Sequence, residues 1–381
     1  MKILFSVSYY HPYISGLTLA ASLWAEALVK KGETVTVLTM QHDKSLAKRE
    51  SIGGVRIERV PWIIQISKGF LSVDWFIRAW HQVRRHDAVV IHLPQVEGIV
   101  VAICAKLQGK RVVAMYHCEP VLSPGFIPGV IQSVMEVSHF ITMLLSDRVA
   151  TYTKDYADHS TVLGLWKRYT KRDIVTVIPP IAPPKENIRL TRSFVQRIGH
   201  SDVIIGIAAR LAAEKGIEYA IEALPLLAQK LPRKKIKLVI AGSMDPVGES
   251  VYKTKIMALV SRFAGQVIFL GSIAPKDMGS FYRCIDLLVL PSVNRTEAFG
   301  MVQVEAMYMG VPVVASNLPG VRVPVQKTHM GLVVDPGDSR GLAGAIYTIM
   351  SDRRSYRSAK IPIGTLFSPT RSVSAFLSLI S

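Results

Sequence analysis

Cysteine is scarce in this chain, with three residues in 381: Cys104, Cys118 and Cys284. They stand at no metal-ligand spacing, and an odd number cannot pair completely. A disulfide framework and a zinc cluster are therefore excluded, and buried thiols in a reducing compartment are expected. Acidic side chains are also short, 28 against 46 lysines and arginines, which leaves a formal charge of +18. Charged residues make up only 19% of the chain and hydrophobic ones 49%, a balance that excludes global disorder.

No export signal is visible in these residues, and none is expected. The first apolar run, Ile3–Val7, is broken by Ser8-Tyr9-Tyr10-His11-Pro12 and reads as a buried strand, too short for a signal-peptide core. The stretch from Ile3 to Ala25 has no charged residue, yet its middle is polar and carries Pro12 and Gly16, so no spanning helix is expected there. A dinucleotide-binding fingerprint is also missing. No G-x-G-x-x-G follows the first strand or the strand Val203–Ala208, which argues against a nicotinamide or flavin enzyme.

The positive charge calls for an anionic partner: nucleic acid, a membrane surface or phosphorylated small molecules. The basic residues are spread through both halves, with no zinc-finger spacing and no aromatic-basic RNA signature, so a nucleic-acid partner is not expected. An anionic membrane surface suits a basic, rather apolar chain better, and solubility alone can also account for the charge.

What is present is alternation. In the first half the strand patterns are Lys2–Val7, Thr34–Met40, Val55–Val60, Ala88–His92, Arg111–Tyr116, Arg148–Tyr152 and Ile174–Ile178. Helical periodicity appears at Leu17–Lys31, Leu71–Arg85 and Ile127–Leu145. Pro179-Pro180-Ile181-Ala182-Pro183-Pro184 can continue neither helix nor sheet and reads as a stiff linker. The pattern then restarts. Val203–Ala208, Lys237–Ala241, Val267–Leu270, Leu287–Leu290 and Val311–Ala315 read as strands, with helices at Glu218–Lys230, Tyr252–Phe263, Met301–Tyr308 and Leu342–Met350. Two α/β domains with parallel sheets follow, whose ligands belong beyond the carboxyl ends of the strands, in a cleft.

Two segments of the second half carry chemistry. In Thr296-Glu297-Ala298-Phe299-Gly300-Met301, a carboxylate precedes a helix whose amino-terminal amides, at Ala298, Phe299 and Gly300, suit an anion. Glu305 lies about a turn and a half into that helix, and a carboxylate accepting two hydrogen bonds suits a vicinal diol such as a ribose. In Arg210-Leu211-Ala212-Ala213-Glu214-Lys215-Gly216, two cations stand directly after a strand. A diphosphate needs such a pair: forked hydrogen bonds from arginine and a point charge from lysine.

Together these segments resemble the retaining GT-B glycosyltransferases of family 4, glycosyl transferases group 1. Arg210 and Lys215 match the family's R-x4-K-G loop, and Glu297 and Glu305 its E-x7-E spacing. The resemblance extends to Gly16 in the first loop and to His117 after a strand. It implies a GT-B fold, two Rossmann-like domains whose parallel sheets face a central cleft. It further implies an acceptor-binding domain over 1–182, a nucleotide-sugar-binding domain over 183–360, and a final helix in 361–381 crossing back to the first domain. His117, Arg210, Lys215 and Glu297 are expected to be catalytic. Gly16, Arg210, Lys215, Glu297, Ala298, Phe299, Gly300 and Glu305 are expected to bind the donor.

The activity implied is metal-independent, cofactor-free transfer of a hexose from a UDP- or GDP-sugar to a glycan or lipid-linked acceptor, with retention. The leaving phosphate would help deprotonate the acceptor while Arg210 and Lys215 neutralise it. No D-x-D metal motif stands in the chain. Pro61-Trp62-Ile63-Ile64, Phe70–Trp80 and Val121–Leu145, the last interrupted by Pro124, Gly125, Pro128 and Gly129, are apolar enough to dock on a bilayer or to be ordinary core. A cytoplasmic enzyme of surface polysaccharide or glycolipid assembly, peripheral on the inner face of the membrane, is expected. A nucleotide-sugar epimerase, a phosphorylase or a non-catalytic sugar-nucleotide-binding protein stay open as alternatives. The chain departs from the family pattern at Leu17 after Gly16, at Pro180-Ile181-Ala182 and at Val321-Arg322-Val323-Pro324.

Overall fold

A computed structural model describes residues 1–66, 69–122 and 125–381. Pro124, read above as an interruption of an apolar stretch, lies outside the described residues. The chain divides into two compact units, Met1–Pro180 with Ser368–Ser381, and Ile181–Phe367.

The first unit runs β1 (Lys2–Ser6), α1 (Gly16–Lys30), β2 (Thr34–Met40), β3 (Arg49–Ile52), β4 (Val55–Val60), β5 (Ile64–Ile66), β6 (Gly69–Leu71), α2 (Asp74–Arg85), β7 (Ala88–Leu93), α3 (Gly98–Leu107), β8 (Arg111–Tyr116), α4 (Phe126–Leu145), β9 (Arg148–Thr151), α5 (Lys154–His159), α6 (Thr161–Thr170) and β10 (Val175–Thr176). Eight strands make one sheet in the order β10-β9-β8-β7-β1-β2-β4-β3, parallel except for the edge pair β3–β4, and β5–β6 form a separate antiparallel hairpin. The central strands are buried on both faces, so they appear in the sequence as unbroken apolar runs rather than alternations: Ile3, Leu4 and Phe5 of β1 and Val89, Val90 and Ile91 of β7 are fully buried. Helix α1 begins at a capping box in which Ser15 and Thr18 satisfy each other's backbone amides.

The second unit runs α7 (Ile188–Ile198), β11 (Val203–Ala208), α8 (Ile217–Lys230), β12 (Ile236–Ala241), α9 (Ser250–Ser261), β13 (Val267–Gly271), α10 (Met278–Arg283), β14 (Leu287–Leu290), α11 (Met301–Tyr308), β15 (Val313–Ser316), α12 (Arg322–Thr328), β16 (Gly331–Val334), α13 (Ser339–Ser351) and α14 (Ile363–Leu366). Its six strands are all parallel, in the order β13-β12-β11-β14-β15-β16. Two apolar clusters lie on the two faces of this sheet, one including Ile221, Leu224 and Ile346, the other Phe281, Met307 and Val325.

The last helix, α15 (Pro369–Ile380), belongs to the first unit. Its Phe376 is fully buried and stacks on Trp24 of α1, with ring centroids 4.7 Å apart. The stretch 361–367, expected with this returning helix, stays with the second unit. Phe367 is buried edge-on to Phe299 and its carbonyl accepts from the Tyr308 hydroxyl, which anchors it there. The other boundary falls between Pro180 and Ile181 rather than after Ala182.

Candidate functional site

In a parallel sheet, a crevice opens where the strand order reverses and neighbouring loops run to opposite faces. In the second unit β11 and β14 are adjacent and lie at such a point. The loop leaving β11 holds Arg210 and Lys215, and the loop leaving β14 holds Glu297, so sheet topology joins two segments some eighty residues apart in sequence. Lys215 Nζ donates to Glu297 Oε2 at 2.6 Å, and Arg210 Nη2 to Glu214 Oε1 at 2.6 Å. All four side chains keep between 12% and 21% of their surface exposed, so the pairs are screened from bulk water but reachable.

The backbone that carries these groups is tightly stitched. The Val293 amide donates to the Glu214 carbonyl at 3.1 Å, tying the two loops to each other, and the Leu211 amide donates to the Ser243 carbonyl at 2.8 Å. Gly216, at φ 58°, passes so close to β14 that a Cβ there would sit 2.2 Å from the Pro291 carbonyl oxygen. Only glycine takes this left-handed conformation at such an approach without strain.

Helix α11 starts at Gly300, also left-handed, with φ 74°. Ala298 and Phe299 are buried, so a ligand would meet this turn through its backbone, with Phe299 serving as an anchor in the core. Gln303, fully buried, donates from Nε2 to the carbonyls of Phe299 at 2.8 Å and Val321 at 2.9 Å. It clamps the turn before α11 to the turn before α12. Nothing in the E-x7-E spacing singled it out; the available signal was an amide at a position where the helix faces the core.

Glu305 is partly exposed, and its Oε2 accepts from the hydroxyl of buried Tyr282 at 2.6 Å. Burial raises its pKa above the ordinary carboxylate range, opposed by that hydrogen bond. Among the described residues, no group of three or more His, Cys, Asp or Glu side chains is arranged to hold a metal ion.

The residues expected in the first unit fare differently. Gly16 opens α1 on the surface, and a Cβ added there would meet nothing within 4 Å, so the fold itself does not require glycine. His117, expected to face the cleft from the carboxyl end of its strand, is buried within the first unit. Its amide donates to the Leu93 carbonyl at 2.9 Å, prolonging the β7–β8 ladder by one residue. Strand alternation then turns the ring onto a face of the sheet, and it is 2% exposed. Its Nε2 shares a hydrogen bond with His92 Nδ1 at 2.8 Å and its Nδ1 one with the Tyr152 hydroxyl, in the shadow of Trp24. Burial, and then His92, push its pKa well below the usual range, so the ring is neutral. Glu119 is a buried structural acid that accepts from Ser160 Oγ and the Val162 amide at the start of α6.

The switch point of the first sheet lies between β1 and β7. There Glu97, unmarked in the sequence reading, accepts at Oε1 from Ser8 Oγ at 2.6 Å and from Gln95 Nε2 at 3.4 Å. Burial raises its pKa. Strand order is needed to see this group, because Ser8 and Glu97 are 89 positions apart.

A family model described as Glycosyltransferase Family 4 matches residues 14–186, and one described as Glycosyl transferases group 1 matches residues 189–361. An uncharacterized glycosyltransferase of Methanocaldococcus jannaschii is 28% identical, over 92% of this chain and 90% of its own. A D-inositol 3-phosphate glycosyltransferase of Corynebacterium urealyticum is 32% identical, but over only 39% of this chain and 35% of its own. Among solved structures, Anabaena HepE in complex with UDP-glucose superposes with a TM-score of 0.75 at 20% identity, covering 99% of each chain. Sucrose-phosphate synthase of Thermosynechococcus elongatus gives 0.68 at 18% identity, covering 100% of this chain and 95% of its own. The fold is thus GT-B, and from its two matched halves the chain belongs to the family 4 glycosyltransferases, glycosyl transferases group 1.

Proposed function

We propose that this glycosyltransferase moves a hexose from a UDP- or GDP-sugar to a glycan or lipid-linked acceptor, with retention and without a metal ion or other cofactor. The observation that carries the reading is the Lys215–Glu297 pair at the β11/β14 switch point, with Arg210 beside it. A donor diphosphate can take the place of the carboxylates as partner of the two cations, and the same cations then stabilise charge on the leaving phosphate. The displaced Glu297, with the backbone at Ala298, Phe299 and Gly300, is placed to meet the donor sugar, and Glu305 to accept from a ribose diol. The UDP-glucose bound by HepE supports a nucleotide-sugar donor. No transfer role is assigned to His117, whose ring nitrogens are both engaged in the core.

The test is thermal-shift titration with UDP and with GDP, each with EDTA present, on the natural chain and on Glu305→Gln, which keeps an acceptor for Tyr282. One nucleotide is expected to raise the midpoint in the natural chain and not in the variant. At a hundredfold excess over Kd the stabilisation is about 2.7 kcal/mol. No shift with either nucleotide would overturn the reading.

The enzyme is placed on the cytoplasmic face of a membrane, in surface polysaccharide or glycolipid assembly. What supports this is the outer surface of α4, where Phe126, Ile127, Val130, Val134 and Val137 are between 49% and 86% exposed. Exposed apolar side chains at helical spacing, in a chain of formal charge +18, suit an anionic bilayer.

A further inference from the structure

Between Glu297 and Glu305 stands a single polar side chain, Gln303, and it is fully buried. Both hydrogens of its Nε2 are committed, one to the Phe299 carbonyl at 2.8 Å and one to the Val321 carbonyl at 2.9 Å. The amide cannot be turned the other way round, because its oxygen would then face two carbonyl oxygens. That oxygen, Oε1, is buried and takes no donor among the described residues. A buried acceptor without a partner weakens a fold, so what this side chain contributes is its two donated bonds.

The bond to Phe299 fixes more than a carbonyl. The Phe299–Gly300 peptide is trans, and in a planar trans peptide the C=O and the N–H point in opposite directions. With the carbonyl drawn to Gln303, the Gly300 N–H points away from it. Gly300 is itself buried, and its amide donates to no protein group among the described residues. Buried amides in folded proteins almost always have a partner. This one stands between Glu297 and the first turn of α11, where the partner it lacks is an oxygen of a ligand. No side chain can replace Gly300 here. A Cβ would lie 2.4 Å from Leu290 Cδ2 and 2.8 Å from Gln303 Nε2. The second bond, to Val321, ties this turn to the one ahead of α12, so the loops after β14 and β15 hold each other.

We propose that Gln303 is a positioning residue for the donor sugar, holding the Phe299–Gly300 peptide with its N–H aimed at an oxygen of the transferred ring. This role rests on the donor reading above, since a nucleotide sugar supplies that oxygen. Gln303 itself stays in the core, and the contact is made by the Gly300 amide. Without the glutamine the peptide is free to rotate. The sugar then loses a donor, while the nucleotide keeps Arg210, Lys215 and Glu305.

The dipeptide Phe-Gly occurs once in the chain, at 299–300. Phenylalanine labelled with carbon-13 at the carbonyl, combined with nitrogen-15 glycine, therefore gives one carbonyl-filtered amide signal, that of Gly300. UDP, GDP, UDP-glucose and GDP-mannose are added to the full natural chain and to Gln303→Met, and their affinities are measured by calorimetry. In the natural chain the Gly300 signal is expected to move with one nucleotide sugar, and to move much less with the matching nucleotide alone. In Gln303→Met that sugar-specific movement should vanish. Its Kd for the nucleotide sugar should rise about tenfold, with Kd for the nucleotide alone unchanged. A glutamine that merely stabilises the fold would lower the melting midpoint and leave the ratio of the two affinities as it was, which overturns the role. A Gly300 signal in the natural chain that responds to nucleotide but not to either sugar also overturns it, and needs no variant that folds. If the natural chain binds neither nucleotide nor nucleotide sugar, the donor reading has failed and this role falls with it.

Discussion

At the scale of single residues, the buried histidines carry a consequence that solution conditions expose. His92, His117 and His139 are buried in the first unit, and burial lowers His92 to about 3 and His139 to about 4, with His117 shifted in the same direction. All three stay neutral in the fold at a pH where the unfolded chain, with ordinary values near 6.5, takes up protons. The unfolded state then binds more protons, so stability is complete above about pH 6.5 and falls as the pH drops below it. Each histidine steepens the fall by at most about 1.4 kcal/mol per pH unit. His139 Nε2 accepts from the Gln95 amide at 3.1 Å, so His139→Gln can preserve that bond while removing the titration. Urea midpoints followed from about pH 6.5 to about pH 5, above the main carboxylate range, should decline less steeply in that variant. An unchanged slope would show that His139 takes up its proton as readily folded as unfolded.

At the scale of elements, legibility in the sequence followed burial. Strands covered on both faces announced themselves as apolar runs, and β11, β14 and helix α11 were bounded correctly from pattern alone. Helix α3, Gly98–Leu107, was missed because it is apolar nearly all round and shows no period. The edge pieces β3, β5 and β6 are too short and too exposed to alternate clearly. The same logic explains the site. Arg210, Lys215, Glu297 and Glu305 stood out because each is a charged group at the end of a legible strand or on a legible helix. Glu97 did not, since its company is created by strand order. The burial of His117 was not legible either, since one more residue of ladder turns its ring onto a face of the sheet.

Helix α4 was the ambiguous element, readable as core or as membrane surface. By length and composition it could cross a bilayer, yet only 22% of its most apolar window is buried. Ser138, His139, Thr142 and Met143 face the unit, and the exposed face carries Val130, Val134 and Val137. The helices packed in series with it, α2, α3 and α6, expose Arg78, Arg84, Arg85, Lys106, Lys167 and Arg168; Arg78 pairs with Glu58 and Lys106 with Asp147, which leaves four cations against Asp74 and Glu136 on these helices and α4. An apolar face rimmed by positive charge favours an anionic bilayer over a second copy of itself, whose like charges would repel. Flotation with vesicles containing phosphatidylglycerol should carry the protein upward at low salt. Val134→Glu combined with Val137→Glu should leave it in the soluble fraction with its melting midpoint unchanged. Equal flotation of both proteins, or none of either, would remove α4 as the docking element.

At the scale of the whole molecule, the two units are not equivalent in how the chain makes them. The second is one continuous segment, Ile181–Phe367, closed at its end by Phe367 against Phe299, with its own apolar clusters on both faces of its sheet. The first is completed only when the chain returns. Without α15, Trp24 loses the stacked ring of Phe376, and the His92–His117–Tyr152 chain beneath it loses its cover. Removing a fully buried phenylalanine costs about 3–5 kcal/mol, a large share of the roughly 5–15 kcal/mol that holds a domain together. Expressed alone, residues 181–367 should therefore unfold cooperatively and give a nucleotide-dependent thermal shift. Residues 1–180 alone should aggregate or melt without a cooperative transition, and should recover one when a peptide spanning 368–381 is added. A cooperative fold for 1–180 without the peptide would mean that α15 is an ornament on a finished unit. Failure of 181–367 to fold would mean that its clusters do not suffice, although Arg210, Lys215, Glu297 and Glu305 all stand within it.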